Sequence, residues 1–204
     1  MSDTPFALPG TAAVIIDVQN DYCHPEGVFA RAGLAVDDLD GLVERINALV
    51  GAARAAGRPV IWVRMQWTDR ADVGLLAERS PFLREEGLRV GTWGAEPVDG
   101  LDVRGEDLVV TKARFSSFHD TDLDRVLAAA GVDTLVVAGV RTDFCVESTV
   151  RDAFFRDLRV VIARDAVAGF FVDLHEASLR VMGTVFADVQ DVAVITGTET
   201  KGVA

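Results

Sequence analysis

The chain is poor in the residues that staple a fold or ligate a metal. Its 204 residues include two cysteines, Cys23 and Cys145, and three histidines. Two cysteines are too few for a disulfide framework, and neither stands in a CxxC or Cys/His spacing that would suggest zinc, so both are expected as free thiols. Positive charge is scarce as well. Twenty Lys and Arg against 32 Asp and Glu give a formal net charge of −12, which repels phosphate backbones and anionic membranes and argues against a nucleic-acid partner. No run approaches the roughly 20 apolar residues of a membrane span. The opening stretch MSDTPFALPG has neither a basic start nor an apolar segment of signal length, so a cytoplasmic location is expected. No Pro/Ser linker, charge block, low-complexity tract or repeat interrupts the chain, and residues 1–204 are read as one domain.

What is present is apolar residue in quantity and in alternating pattern. Half of the residues are hydrophobic, enough for a sizeable core and against disorder. Residues 12–18, AAVIIDV, form a continuous apolar run ending at Asp17, as expected of a strand buried on both faces of a parallel sheet. Residues 38–56 place Leu39, Leu42, Val43, Ile46, Leu49, Val50 and Ala53 on one helical stripe, which Gly57 and Pro59 terminate. Strand VIWVRMQ follows. An irregular stretch from about Trp67 to Glu106 is long enough to be functional and is expected to roof a site. Strand LVVTK, helix 121–130, strand TLVVAG, a helix from about Phe144, strand RVVIARD, helix 173–186 and strand VAVIT complete an α/β doubly wound parallel sheet.

In such sheets ligands bind beyond the carboxyl ends of the strands. Three chemically capable residues fall at that level: Asp17 after the first strand, Lys112 at the end of LVVTK, and Cys145 after TLVVAGV. Singly, each has an ordinary structural role; on one sheet edge they make a catalyst. A cysteine near a helix N-terminus gains from its orphan N–H groups, a lysine lowers the thiol pKa, and a carboxylate can carry the proton away. Histidine is not required, and His24, His119 and His175 all lie in turn or surface-helix contexts. A nucleotide-binding module is the competing reading of the fold, but the turn after the first strand reads DVQNDYCHPEG rather than GxGxxG.

The segments VIIDVQNDY, VVTKARFSSF and GVRTDFCVESTVRDAFF resemble the three motifs of the isochorismatase-like cysteine hydrolase superfamily, in its order, with the likeness running from about Thr11 to Val194. The resemblance implies a six-stranded parallel sheet with helices on both faces, a homo-oligomer (dimer or tetramer), and a catalytic triad of Asp17, Lys112 and Cys145. It also implies an oxyanion hole from the backbone N–H groups of Arg141 and Cys145, and a cis peptide between Val140 and Arg141.

Within that superfamily, isochorismatases have glycine where this chain has Cys145. Nicotinamidases carry an Asp/His/His metal cluster where this chain reads VRMQWTDRADVG, without histidine. CVESTVRDAFFRD and GTWGAEPVD are instead similar to the ureidoacrylate, biuret and N-carbamoylsarcosine amidohydrolase branch. The resemblance thus implies an amidohydrolase acting through a cysteine thioester on a small-molecule amide, ureido or carbamoyl substrate, with no cofactor and no metal. A nicotinamidase-like or isochorismatase-type hydrolase, or a non-catalytic binding member, is the alternative. Gln19, Gln66, Trp67, Trp93, Arg114, Phe115 and Arg141 lie in segments expected to face the substrate, an arginine suiting a carboxylate.

Overall fold

The computed structural model describes residues 4–198. Six parallel strands, β1 (Thr11–Ile16), β2 (Val60–Met65), β3 (Leu108–Lys112), β4 (Thr134–Val140), β5 (Arg159–Ala168) and β6 (Asp188–Gln190), pair in the order β3-β2-β1-β4-β5-β6. The central pair is buried along its whole length, six residues of β1 and seven of β4. This is why those segments read as unbroken apolar runs rather than alternating ones. At the edge, β3 leaves Leu108 and Val109 exposed.

Parallel neighbours need crossovers, and here helices supply them. Leu39–Ala55 joins β1 to β2, Leu123–Ala129 joins β3 to β4, Glu147–Phe154 joins β4 to β5, and Val172–Val185 joins β5 to β6. The first begins at Asp38, whose carboxylate accepts the Gly41 N–H, and it buries Leu42, Ile46, Leu49, Val50 and Ala53 against the sheet. Right-handed crossovers put helices on opposite faces when the chain winds in opposite directions from the centre. The winding reverses between β1 and β4, which makes their carboxyl ends the switch point where a ligand crevice opens.

The segment expected to roof that crevice contains one-turn helices at Arg70–Val73, Leu76–Arg79 and Phe82–Glu85 and a 3-10 turn at Trp93–Ala95. One assignment is corrected: VAVIT is not the sixth strand but a helical turn, Val192–Thr196, and the strand is Asp188–Gln190 just before it. A short apolar run fits either state by periodicity alone. Val192 and Ile195, three apart, are buried while Val194 is 40% exposed, a helical and not a strand division. Gly197, with φ 72°, stops the turn. No helix among the described residues is long and apolar enough to cross a membrane.

Candidate active site

Backbone geometry at the switch point is unusual on both central strands. Asp17 has φ 54°, a left-handed conformation costly for a residue with a Cβ, and strain of that kind gathers at functional sites. Opposite it, Gly139 has φ 118°, and a Cβ there would lie 2.1 Å from the Ile16 carbonyl oxygen. Only glycine lets β4 pass this close to β1 while turning into the next segment. The Val140–Arg141 peptide is cis, as the resemblance implies.

Beyond it, Thr142–Val146 forms one π-helical turn carrying Cys145, and the regular helix starts at Glu147. Side chains lock this turn. Thr149 donates its hydroxyl to the Cys145 carbonyl at 2.7 Å, and the Thr142 hydroxyl meets His175 Nδ1 at 2.8 Å. Ser178 donates to the Thr142 carbonyl at 3.1 Å.

The structure brings Asp17, Lys112 and Cys145 together. Lys112 Nζ donates to Asp17 Oδ2 at 2.6 Å, to the Phe115 carbonyl at 2.9 Å and to the Arg114 carbonyl at 3.1 Å. Of these three oxygen contacts, two are to backbone carbonyls. Both side chains of the pair are fully buried. Asp17 Oδ1 is buried and has no hydrogen-bond partner among the described residues, and the Cys145 thiol faces the Asp17–Lys112 pair. That leaves one carboxylate oxygen open to a thiol proton while the other is held.

Charge in this pocket follows burial first. Burial raises Asp17 above the ordinary carboxylate range, with Lys112 pulling back. Burial alone would lower Lys112, but Asp17 and Cys145 outweigh it and the ammonium stays charged. For Cys145, burial pushes the thiol up to about 12, partly countered by Lys112 and reinforced by Asp17. The sequence expectation of a thiol depressed by lysine is thus corrected: the cation is there, but loss of solvent exceeds it. Burial thus favours the thiol form of Cys145 and weakens Asp17 as an acid, while Lys112 keeps its ammonium.

Cys145 opens into a cavity of about 70 Å³ lined by Tyr22, Phe29, Leu76, Ser80, Leu83, Phe115, Arg141 and Phe144. Of the sequence-predicted contacts, Phe115 and Arg141 reach this cavity. The Arg141 guanidinium lies between the rings of Phe144 and Phe170, at 4.3 and 4.4 Å, and donates to both oxygens of Asp143. The others are placed elsewhere. Trp67 is 1% exposed and donates its indole N–H to the Ala113 carbonyl, Trp93 packs edge-on against His24, and the Gln66 N–H binds the Lys112 carbonyl. Arg114 donates to the Asp72 carbonyl in an adjoining cavity.

Gln19 does backbone work. Its amide donates to the Met65 and Ala95 carbonyls and accepts the Met65 N–H. Asn20 donates to the Trp93 carbonyl, and buried Asp21 accepts the Leu88 and Val28 N–H groups. Three consecutive polar residues after β1 thus fasten the roof over the crevice. Sequence reading missed this, along with the aromatic wall of Tyr22, Phe29 and Phe144. Tyr22 stacks on Phe29 at 4.5 Å and donates its hydroxyl to Met65 Sδ at 3.2 Å. Burial, then the nearby Cys145 and Asp17, raise its phenol well above the ordinary value.

Residues 11–194 match the Isochorismatase domain family. The ureidoacrylate amidohydrolase RutB of Methylobacterium radiotolerans is 37% identical over 206 residues, covering 93% of this chain and 80% of that protein. Among solved structures, a cysteine hydrolase from Pseudomonas syringae pv. phaseolicola superposes with a TM-score of 0.84 at 31% identity, covering 92% of this chain and 91% of that one. N-carbamoylsarcosine amidase from Thermoplasma acidophilum superposes with a TM-score of 0.72 at 25% identity, covering 94% and 99%. With sheet order, motif placement and these matches in agreement, the chain belongs to the isochorismatase-like cysteine hydrolase superfamily.

Proposed function

We propose that the protein is an amidohydrolase that cleaves a C–N bond of a small amide, ureido or carbamoyl compound through a thioester on Cys145. The observation that carries this is the buried cluster of one thiol, one half-occupied carboxylate and one anchored ammonium at the switch point of the sheet. Asp17 Oδ1 takes the thiol proton as sulfur attacks the carbonyl carbon. The raised carboxyl makes it a stronger base than an ordinary aspartate, which narrows the gap to a thiol near 12. When the tetrahedral intermediate collapses, the C–N bond breaks and the amine leaves with the proton from Asp17. Water, deprotonated by the same carboxylate, then attacks the acyl carbon; the C–S bond breaks, the carboxylic or carbamic acid leaves, and Asp17 returns the proton to sulfur.

Lys112 keeps its charge throughout. Its three fixed bonds hold Asp17 Oδ2 in place and offset the negative charge that passes between sulfur and carboxylate. The N–H groups of Arg141 and Cys145, on the turn that leaves β4, are assigned as the oxyanion donors, each contributing on the order of 3 kcal/mol in comparable sites. The two cysteines are free thiols, as suits a reducing compartment, which supports a cytoplasmic setting. Exposed Phe155 and Val185, at 70% and 63%, support assembly into a homo-oligomer.

Ammonia release from a panel of small ureido and carbamoyl compounds and nicotinamide tests the reading. The expected result is a higher kcat/KM for a ureido or carbamoyl compound than for nicotinamide, with turnover lost in Cys145→Ala. Nicotinamide ranking first would move the chain to the other branch, and retained turnover in Cys145→Ala would end the thioester.

A further inference from the structure

The cavity on Cys145 has a larger neighbour. Leu76 and Phe115 line the 70 Å³ pocket and also line a second, partly open cavity of about 520 Å³. This one too lies at carboxyl strand ends, since Met65 closes β2 and Ala113, Arg114 and Phe115 follow Lys112. Its wall is mostly apolar. Val73 is buried beneath it, whereas Leu75, on its rim, is 79% exposed and has no place in the core.

Two cations face this apolar wall, Arg79 and Arg114. Arg114 Nη1 donates to the Asp72 and Ala113 carbonyls at 2.6 and 2.8 Å, which fixes the guanidinium without neutralising it. Asp72 turns its carboxylate to the Thr68 N–H at 2.8 Å and feels the Arg114 charge only beyond contact distance, and among the described residues neither arginine forms a salt bridge with a carboxylate. The contrast is with Arg141 at the small pocket, whose charge is already spent on Asp143 at 2.6 Å. In a chain of net charge −12, the positive end of the site therefore lies in the larger cavity, away from the thiol.

Resting on the amidohydrolase reading above, we propose that this cavity is the distal compartment of the substrate site. The small pocket holds only the reacting ureido or amide group. An apolar chain then passes Leu76 and Phe115, and a carboxylate ends at Arg79 and Arg114. The substrate is thus an anion longer than a three-carbon ureido acid. Each methylene moved from water onto such a wall favours binding, and an unspent guanidinium is the natural partner of a carboxylate.

The test compares 3-ureidopropanoate, 4-ureidobutanoate, 6-ureidohexanoate and uncharged hexylurea. We expect kcat/KM to rise with chain length, by about tenfold or more from the shortest acid to the longest. Arg79→Gln should cut the preference for 6-ureidohexanoate over hexylurea by about tenfold. The shortest acid ranking first, or a preference unmoved by both Arg79→Gln and Arg114→Gln, would overturn the compartment. Turnover of none of the four would count against the amidohydrolase reading itself. The compartment is then read separately, by calorimetric titration of Cys145→Ala protein with 6-ureidohexanoate: binding weakened by Arg79→Gln upholds it, and binding unchanged by that substitution overturns it.

Discussion

Two thiols sit in the same core, in neighbourhoods that differ in charge. Cys23 is 4% exposed and Cys145 1%, both are free, and burial pushes both up from the ordinary thiol value. Cys23, on the one-turn helix Asn20–Cys23, has the Asp17 charge as a further upward push and no cation to offset it. Cys145, on the π-turn after β4, has the same carboxylate and the Lys112 ammonium together. Burial is common to both thiols. On the proposed mechanism the cation, and a carboxylate oxygen left open, are what suit Cys145 and not Cys23 to be the nucleophile.

The largest effect should come from removing the cation. Lys112→Met leaves Asp17 buried and unpaired and makes Cys145 resemble Cys23. Turnover should fall by about a hundredfold or more, and stability by roughly 3–5 kcal/mol, as when one partner of a buried pair is removed. Chemical denaturation and ammonia release separate the two losses in the double variant Asp17→Asn/Lys112→Met, in which Asn keeps the left-handed backbone of position 17 and stability should largely return while turnover should not. Recovery of turnover in the double variant would break the comparison.

A smaller effect should appear at alkaline pH. A thiol whose folded pKa is raised from 9.0 to about 12 stays protonated in the native state while the unfolded chain ionises. Native protein then binds more protons, so stability is fully present below pH 9 and is lost as pH rises through that window. Denaturation midpoints followed from pH 8 to 11 should decline, and less steeply in Cys145→Ala. Equal slopes in the two proteins would show that Cys145 is not the protonated thiol described here.

How far the sequence revealed this site depends on the range of the interactions. The convergence of Asp17, Lys112 and Cys145 was legible because apolar runs end at the first two and just before the turn that carries the third, and a parallel sheet puts such ends on one edge. The roof's fastening was not legible. Gln19, Asn20 and Asp21 bond backbone groups of Met65, Ala95, Trp93 and Leu88, 46 to 76 residues away, and nothing local marks a polar side chain as aimed at a distant carbonyl. Tyr22, Phe29 and Phe144 were missed because an aromatic lining a pocket looks, in sequence, like one filling a core. The thiol's direction was misjudged for a related reason: a cation is visible as a letter, whereas complete loss of solvent is a property of the fold. VAVIT failed by length, being five residues that fit a strand or a turn equally until Asp188–Gln190 takes the edge of the sheet.

The most direct test is to look for the bond itself. Acid quench of the enzyme during turnover of a ureido or carbamoyl substrate, followed by peptide mass spectrometry, should show the acyl or carbamoyl adduct on the peptide containing Cys145, with the Cys23 peptide unmodified. The adduct should be absent in Cys145→Ala. An adduct on Cys23, or turnover with no adduct on either cysteine while Cys145→Ala remains active, would contradict the account.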